Sequence, residues 1–279
     1  MNHDFLEDCL QGLAWEDKWR DPVAEHRMLD LLAFKASKIA MPDKLKPVQS
    51  EGWPDEKIGL GTYKWKYGTE IIEEALQAGM SIIDTAEGYG FGKVETALGD
   101  VIRKVGAGNT WIASKVSRNH LSHTATLSAG RRSRDKLGVD AIDLYQIHWP
   151  NPDSPIEKTL DAMAELIGEG VIKRIGVCNF SHFQLVAAMK AARDRGVEIE
   201  SNQIRLNYKD QSALRWLIPS CQTLGVKVIA HSPLAQGGLK NSAVLALEWL
   251  LEKGVYIIPK TNSVSHLRDI VGLLGRSVV

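Results

Sequence analysis

The sequence has few cysteines, no excess charge and no long apolar run, and each absence removes a class of protein. The three cysteines (Cys9, Cys178 and Cys221) are far apart and match no zinc or redox spacing, which predicts reduced thiols in a cytoplasmic protein. Because 34 basic residues balance 34 acidic ones, no nucleic-acid or membrane-surface partner is expected. No apolar run is long enough to span a bilayer, and the acidic start MNHDFLEDCLQ lacks a signal-peptide core.

From Lys57 onward, apolar runs alternate with helical stretches eight times. Runs such as VKVIA and VYIIP are typical of strands buried on both faces. A glycine stands between several helices and the next strand, where a left-handed helix stop is expected: Gly79, Gly170, Gly196, Gly225 and Gly254. The predicted strands are 57–62, 81–85, 110–115, 142–148, 172–178, 199–205, 227–231 and 256–259. The predicted helices are 68–78, 91–104, 123–137, 156–169, 181–195, 212–224, 242–253 and 265–274.

Eight strand–helix units predict an α/β fold of the (β/α)8 TIM-barrel class rather than an open doubly wound sheet. The length of 279 residues suits one such barrel. No Gly-x-Gly-x-x-Gly motif opens the first helix, which argues against a Rossmann nucleotide site.

Residues 1–50 have a different pattern and predict an N-terminal helical extension before a barrel of residues 51–279. Leucines and other apolar residues recur at helical spacing among charged ones, which predicts helices over 4–18 and 22–39. A turn-rich linker follows. The extension is interpreted as a cap on one barrel end, and the alternative is a partner-binding or regulatory segment.

Four polar side chains stand at or just after predicted strand ends. Asp84 ends the second strand, Tyr89 lies five residues on in a glycine-rich loop, Lys115 ends WIASK and His148 ends DLYQIHW. Barrels of this class carry their chemistry at this end. Each residue also has a structural interpretation: Asp84 and Lys115 as a buried ion pair, His148 as a core histidine and Tyr89 as a loop aromatic.

The motifs resemble those of the aldo-keto reductase family from about Lys57 to Leu274. They are IDTAEGYG-x-G-x-x-E, IASK, DLYQIHWP, GVCNFS, NQIR, SPLAQGGL and IPKTNSV, in that order. The resemblance implies a catalytic tetrad of Asp84, Tyr89, Lys115 and His148. In this expectation Tyr89 is the general acid at a carbonyl oxygen, and Lys115 lowers the pKa of that tyrosine. Asp84 holds Lys115, and His148 orients the substrate.

The resemblance also implies an extended nicotinamide cofactor across the barrel mouth. A lysine and a hydroxyl at Lys260 and Thr261 suit a 2′-phosphate, so NADPH or NADP⁺ is expected rather than NADH. Three positions depart from the family pattern: His231 replaces a stacking tyrosine, Cys178 a serine, and His266 an arginine. The implied cofactor contacts are Cys178, Asn179, Gln203, His231, Ser232, Leu234, Gln236, Gly237, Lys260, Thr261, Asn262 and His266.

The expected substrate pocket is an aromatic mouth for a carbonyl on a medium-sized organic molecule. Tyr63 and Trp65 follow the first predicted strand, Trp149 follows the fourth, and Asn119 and His120 lie in the loop after the third. The alternative is that Trp65 and Trp149 pack loops onto the barrel rim. No ligand cluster accompanies His120, so no metal site is expected.

Three functions remain open at this point. The leading hypothesis is NADPH-dependent reduction of an aldehyde or ketone to an alcohol. The second is NADP-dependent oxidation of an alcohol on a sugar or natural product. The third, motivated by residues 1–50, is a cofactor-binding interaction subunit similar to potassium-channel β subunits.

Overall fold

The structure, a computed structural model, describes residues 45–49, 51–66 and 68–275. The predicted helices 4–18 and 22–39 lie outside these residues, so the N-terminal cap stays a prediction. Within the described ranges, no helix is long and apolar enough to cross a bilayer.

Eight parallel strands lie side by side in chain order in one sheet. The backbone N–H of Gly59 donates to Ile257 O at 2.8 Å, and that of Gly61 donates to Pro259 O at 2.9 Å. These bonds join the last strand to the first, so the predicted (β/α)8 barrel is confirmed. The strands are β1 (Leu60–Gly61), β2 (Ile82–Asp84), β3 (Trp111–Val116), β4 (Leu144–Ile147), β5 (Ile175–Cys178), β6 (Ile199–Arg205), β7 (Lys227–His231) and β8 (Tyr256–Ile257).

One helix follows each strand, as the alternation predicted. The helices are α1 (Thr69–Gln77), α2 (Lys93–Val105), α3 (His123–Leu137), α4 (Ile156–Gly168), α5 (His182–Arg193), α6 (Leu217–Thr223), α7 (Ala243–Leu251) and α8 (Val264–Val271).

Two helices begin two or more residues later than the sequence predicted. Helix α2 begins at Lys93 rather than residue 91. Gly90, Phe91 and Gly92 have positive φ angles of 55°, 56° and 84°, which are incompatible with a regular right-handed helix. The predicted helix 212–224 is wrong in its first part. Residues 212–214 form a separate 3-10 turn, and the extended φ of −141° at Trp216 delays α6.

The interior of the barrel is built in layers, because alternate residues of each strand point inward. Ile82, Ala113, Leu144 and Ile229 form one apolar cluster together with aromatic residues at the N-terminal end of the strands. The polar residues Asp84, Lys115 and Gln146 follow two positions later on their strands. The apolar layer therefore supports a polar layer at the C-terminal end.

We call Trp53, Trp111 and Tyr256 the aromatic floor, because their rings fill the N-terminal end of the barrel. Trp53 lies 5.1 Å from Trp111 and 5.1 Å from Tyr256 between ring centroids. The indole N–H of Trp53 donates to Glu200 Oε2 at 2.7 Å, and the Tyr256 hydroxyl donates to Pro54 O at 2.6 Å. These contacts anchor residues 51–56 beneath the apolar layer.

Candidate active site

Asp84, Lys115 and Tyr89 form a connected chain of polar groups at the C-terminal end of β2 and β3. Lys115 is fully buried, and its Nζ lies 2.5 Å from Asp84 Oδ2. The same ammonium donates to Thr85 O at 2.9 Å and to the Tyr89 hydroxyl at 3.4 Å. Three of the four predicted catalytic residues are thus in direct contact.

The environment keeps both Lys115 and Tyr89 protonated. Burial alone would lower the pKa of Lys115, but the charge of Asp84 and the contact with Tyr89 raise it above its ordinary value. Burial raises the pKa of Tyr89 to about 12, although Lys115 opposes this effect. The expected net lowering of the tyrosine pKa is therefore wrong in the protein alone, because desolvation outweighs the nearby ammonium.

His148 follows β4 and faces Tyr89 across the site. The two ring centroids lie 5.7 Å apart at an interplanar angle of 73°. Burial, together with the charges of Lys115 and His231, lowers the pKa of His148 to about 3. The imidazole is therefore neutral at physiological pH and has one N–H to donate.

Amide side chains complete the polar layer, and one of them was missed from the sequence. Gln203 Nε2 donates to Asp84 Oδ1 at 2.8 Å, and Gln146 Nε2 donates to the same oxygen at 3.4 Å. Gln146 stands two residues before His148 on β4, so strand alternation could have identified it. Asp84 is therefore held by Lys115 and by two amides.

The departure from the family pattern at His231 is accommodated by Asn179. His231 Nε2 lies 2.9 Å from Asn179 Oδ1, and Asn179 Nδ2 donates to the backbone oxygen of His148 at 3.3 Å. Cys178 lies beside them as a buried thiol whose pKa is raised to about 12 by burial. This thiol is uncharged at neutral pH.

A cavity of about 750 Å³ opens at this end of the barrel. Every predicted catalytic and cofactor residue lines it except Lys115, which lies beneath Tyr89. Tyr63 and Trp149 of the predicted substrate residues also line it. The volume lies within the range of small-molecule sites.

Three predicted substrate residues lie elsewhere. Trp65 is only 4% exposed and packs in the main core, with its indole N–H donating to Gly68 O at 3.2 Å. Asn119 and His120 lie in a short 3-10 turn outside the cavity lining, and His120 Nδ1 lies 2.9 Å from Glu87 Oε1. Trp65 thus follows the alternative interpretation, packing, and His120 is engaged by Glu87 rather than by the cavity.

The residues of the cavity fit a nicotinamide cofactor that carries phosphate groups. Lys64, Lys260 and Thr261 line the cavity, as does the carboxylate of Asp269. Burial lowers the pKa of Lys260, and the charges of Lys66 and Lys64 lower it further. The ammonium groups of Lys64 and Lys66 therefore lie near that of Lys260, and a bound phosphate would relieve their mutual repulsion.

The fold and this site define an oxidoreductase with a barrel mouth suited to carbonyl chemistry. The model of the aldo/keto reductase family matches residues 57–244. The chain belongs to the aldo-keto reductase family.

Known relatives agree with this assignment. Glyoxal reductase from Bacillus subtilis is 32% identical over 223 residues, which is 73% of this chain and 78% of that protein. The thermostable aldo-keto reductase Tm1743, solved with the inhibitor epalrestat, has 33% identity and a TM-score of 0.73 over 81% of this chain and 92% of its own. An aldo/keto reductase from Klebsiella pneumoniae, solved with NADP and acetate, has 29% identity and a TM-score of 0.71 over 77% and 84%.

Proposed function

We propose that the protein reduces an aldehyde or ketone to an alcohol with NADPH, and that Tyr89 is the proton donor. The observation that carries this proposal is the buried Tyr89 hydroxyl, which lies at the cavity and 3.4 Å from the charged Lys115. When bound, a nicotinamide cofactor supplies the hydride that the carbonyl carbon accepts.

Tyr89 gives its proton to the carbonyl oxygen as negative charge develops there. A hydroxyl with a pKa of about 12 keeps its proton until the substrate oxygen becomes more basic than the phenolate. Lys115 then stabilises the phenolate that remains, because its ammonium is fixed beside that oxygen. Asp84 holds the ammonium in place and balances its charge.

His148 supplies a second hydrogen bond to the substrate oxygen. Its imidazole is neutral, so it donates without placing another positive charge beside Lys115. This arrangement lets two donors, Tyr89 and His148, meet one oxygen at the mouth.

The preference for NADPH over NADH is supported by charge. Lys64, Lys66 and Lys260 lie close enough for their charges to affect one another, and Thr261 adds a hydroxyl. A 2′-phosphate makes charge-assisted hydrogen bonds with such groups, whereas NADH has no phosphate at that position. The NADP complex of the relative from Klebsiella pneumoniae agrees with this preference.

The substrate is a carbonyl compound with a planar or apolar group. Tyr63 and Trp149 are both exposed at the cavity, and the Tyr63 ring lies 5.2 Å from that of Tyr89. Exposed aromatic faces favour aryl and other planar groups. The panel to test therefore begins with aryl aldehydes and aryl ketones and includes glyoxal, because one relative is a glyoxal reductase.

The test follows NADPH oxidation with this panel in wild type, Tyr89→Phe and Tyr256→Phe. Both variants delete one phenolic oxygen, the first from the half-buried ring at the mouth and the second from the buried ring on the aromatic floor. We expect kcat to fall by about 100- to 10,000-fold in Tyr89→Phe and to stay near wild type in Tyr256→Phe. Equal activity of wild type and Tyr89→Phe would exclude the proposed proton donor. If wild type binds NADPH and reduces no carbonyl, the oxidative direction is tested with NADP⁺ and an alcohol and sugar panel.

A further inference from the structure

Glu87 lies on the outer side of the β2–α2 loop, residues 85–92, which also carries Tyr89. Its side chain is only 9% exposed. The Oε1 atom accepts a hydrogen bond from the backbone N–H of Ser117 at 2.6 Å and lies 2.9 Å from His120 Nδ1. The Oε2 atom lies 3.6 Å from Arg132 Nη2. One carboxylate therefore connects the β2–α2 loop to the β3–α3 loop and to helix α3.

The β2–α2 loop needs such external attachment because its own backbone is irregular. Three consecutive residues have positive φ angles, and one of them, Phe91, is not glycine and is 99% exposed. A left-handed conformation at such a residue is unfavourable, and an exposed ring contributes no burial to offset it. Contacts made by the outer side of the loop therefore contribute to the position of Tyr89, together with the packing of its own ring against the core.

Neighbouring atoms show how closely the two loops approach. A side chain at Gly88 would lie 3.3 Å from Ser117 Oγ, and the ammonium of Lys136 on α3 occupies the space that a side chain at Gly92 would need. The loop is therefore fitted against the β3–α3 loop and α3 along its outer side.

The bond from Ser117 to Glu87 joins residues that each stand two positions from an active-site residue. Glu87 stands two residues before Tyr89, and Ser117 stands two residues after Lys115. The same two chain segments thus meet at the Glu87–Ser117 bond and at the Tyr89–Lys115 contact of 3.4 Å, and a backbone bond from Glu87 N–H to Lys115 O at 3.3 Å lies between them. Fixing the first meeting point limits how far the second can open.

We propose that Glu87 is a positioning residue, which holds Tyr89 against Lys115 through its bonds to Ser117 and His120. This inference rests on the proposed role of Tyr89 as proton donor. It also gives His120 a role: the residue lies outside the cavity and secures the loop that carries the acid.

Asp143 offers a matched control. It directly precedes β4, at the N-terminal end of the barrel and away from the active site. Its Oδ2 accepts the backbone N–H of Ile112 at 2.9 Å, and its Oδ1 lies 2.8 Å from Lys173 Nζ, with 14% of the side chain exposed. Asp143→Ala and Glu87→Ala therefore remove the same kinds of partner from carboxylates of similar exposure. Only Glu87 lies near Tyr89.

The test measures kcat, KM, NADPH affinity and hydrogen–deuterium exchange of residues 85–92 in both variants. We expect Glu87→Ala to lower kcat on the order of 100-fold, because small misplacement of a reacting group has effects of this size, while NADPH affinity stays within about twofold. Exchange in residues 85–92 should rise. Asp143→Ala should leave kcat and this exchange near wild type, although both variants lower the melting temperature.

Two further variants separate positioning from a general loss of structure. Glu87→Gln keeps an oxygen that accepts from Ser117 and should recover most of kcat. His120→Ala removes one partner from a half-exposed position and should lower kcat by about threefold, the effect of one ordinary hydrogen bond.

Each outcome has a definite meaning for the inference. Unchanged exchange in Glu87→Ala, or a loosened loop with wild-type kcat, would overturn it, as would an equal loss of kcat in Asp143→Ala. If Glu87→Ala did not fold, a wild-type kcat in His120→Ala would overturn it. A wild type that reduces no carbonyl would refute the proposed function, and loop exchange alone would then decide whether Glu87 holds the loop.

Discussion

The two ends of the barrel are formed by the same strands but differ in backbone conformation. At the C-terminal mouth, the positive φ angles outside glycine are concentrated in loops that follow strands. At the N-terminal end, the glycines predicted to stop helices have φ between 70° and 75°, which costs glycine little. Among the described residues, the non-glycine residues with positive φ are Lys64, Phe91, Asn179, Ser232, Ala235 and Gln236.

This difference indicates which end of the barrel contributes most to the stability of the fold. The mouth combines left-handed residues with a buried ion pair between Lys115 and Asp84, and both features are poor sources of stability. The floor has three packed aromatic rings, and the polar atoms of Trp53 and Tyr256 donate hydrogen bonds. We infer that the floor and the helices stabilise the fold while the mouth is arranged for chemistry.

The largest effect is expected from Lys115→Met. This variant changes the mouth, yet it should alter both catalysis and stability. Removing the ammonium leaves the Asp84 carboxylate buried and unpaired, so the free energy of unfolding should fall by about 3–5 kcal/mol. Activity should fall by about 100- to 10,000-fold. Urea denaturation and steady-state kinetics measure the two effects.

Two control variants test whether that loss of stability comes from the unpaired buried charge. Lys104→Met breaks an exposed ion pair with Glu73 and should change stability by less than about 1 kcal/mol. The double variant Lys115→Met with Asp84→Leu should regain stability without activity, because no buried charge remains. Recovery of activity in the double variant would contradict the assigned roles.

Trp53→Ala tests the floor. Loss of the ring opens a space beside Trp111 and Tyr256, and unfolding should become easier by about 3–5 kcal/mol. At a temperature where the variant is still folded, kcat and NADPH affinity should match wild type. A fall in kcat as large as that of a mouth variant would show that the two ends are not separable.

Lys260→Met tests the charged rim of the mouth. We expect NADPH affinity to fall by about 10- to 100-fold, because a charge-assisted bond to the 2′-phosphate is lost, while NADH affinity stays unchanged. Fluorescence titration measures both. Lys253→Met, a lysine against the Trp249 ring, is the control, and an equal loss for NADH would indicate a role outside phosphate recognition.

The last effect concerns pH and is spread over several pH units. The pKa of His148 is about 3 in the folded protein against about 6.5 for a free histidine, so the unfolded chain binds the extra proton between these values. Its contribution to stability is therefore complete above pH 6.5 and is lost as pH falls, at on the order of 1 kcal/mol per pH unit. His148→Gln should show a shallower loss between pH 6 and 4 in denaturation curves, and identical slopes would contradict a buried neutral imidazole.

The sequence predicted the barrel well because apolar periodicity and helix stops are local properties. It also predicted Asp84, Tyr89, Lys115 and His148 at one end, since strand ends determine where such residues meet. It left open whether Trp65 packs or lines the pocket, and it did not predict that His120 lies outside the cavity, because both depend on how loops pack. The raised pKa of Tyr89 could not be predicted either, because it reflects a balance between burial and Lys115 that only the folded chain determines.

We propose that a carbonyl group at the mouth receives hydride from the cofactor and a proton from Tyr89. NADPH deuterated at C4 of the nicotinamide tests this most directly. Two preparations, each labelled on one face, are incubated with an aryl aldehyde that wild type accepts. We expect one preparation to place deuterium on the carbinol carbon in wild type and Tyr256→Phe, and Tyr89→Phe to transfer almost none in the same time. Absence of label from wild-type product with both preparations, or full transfer by Tyr89→Phe, would contradict it.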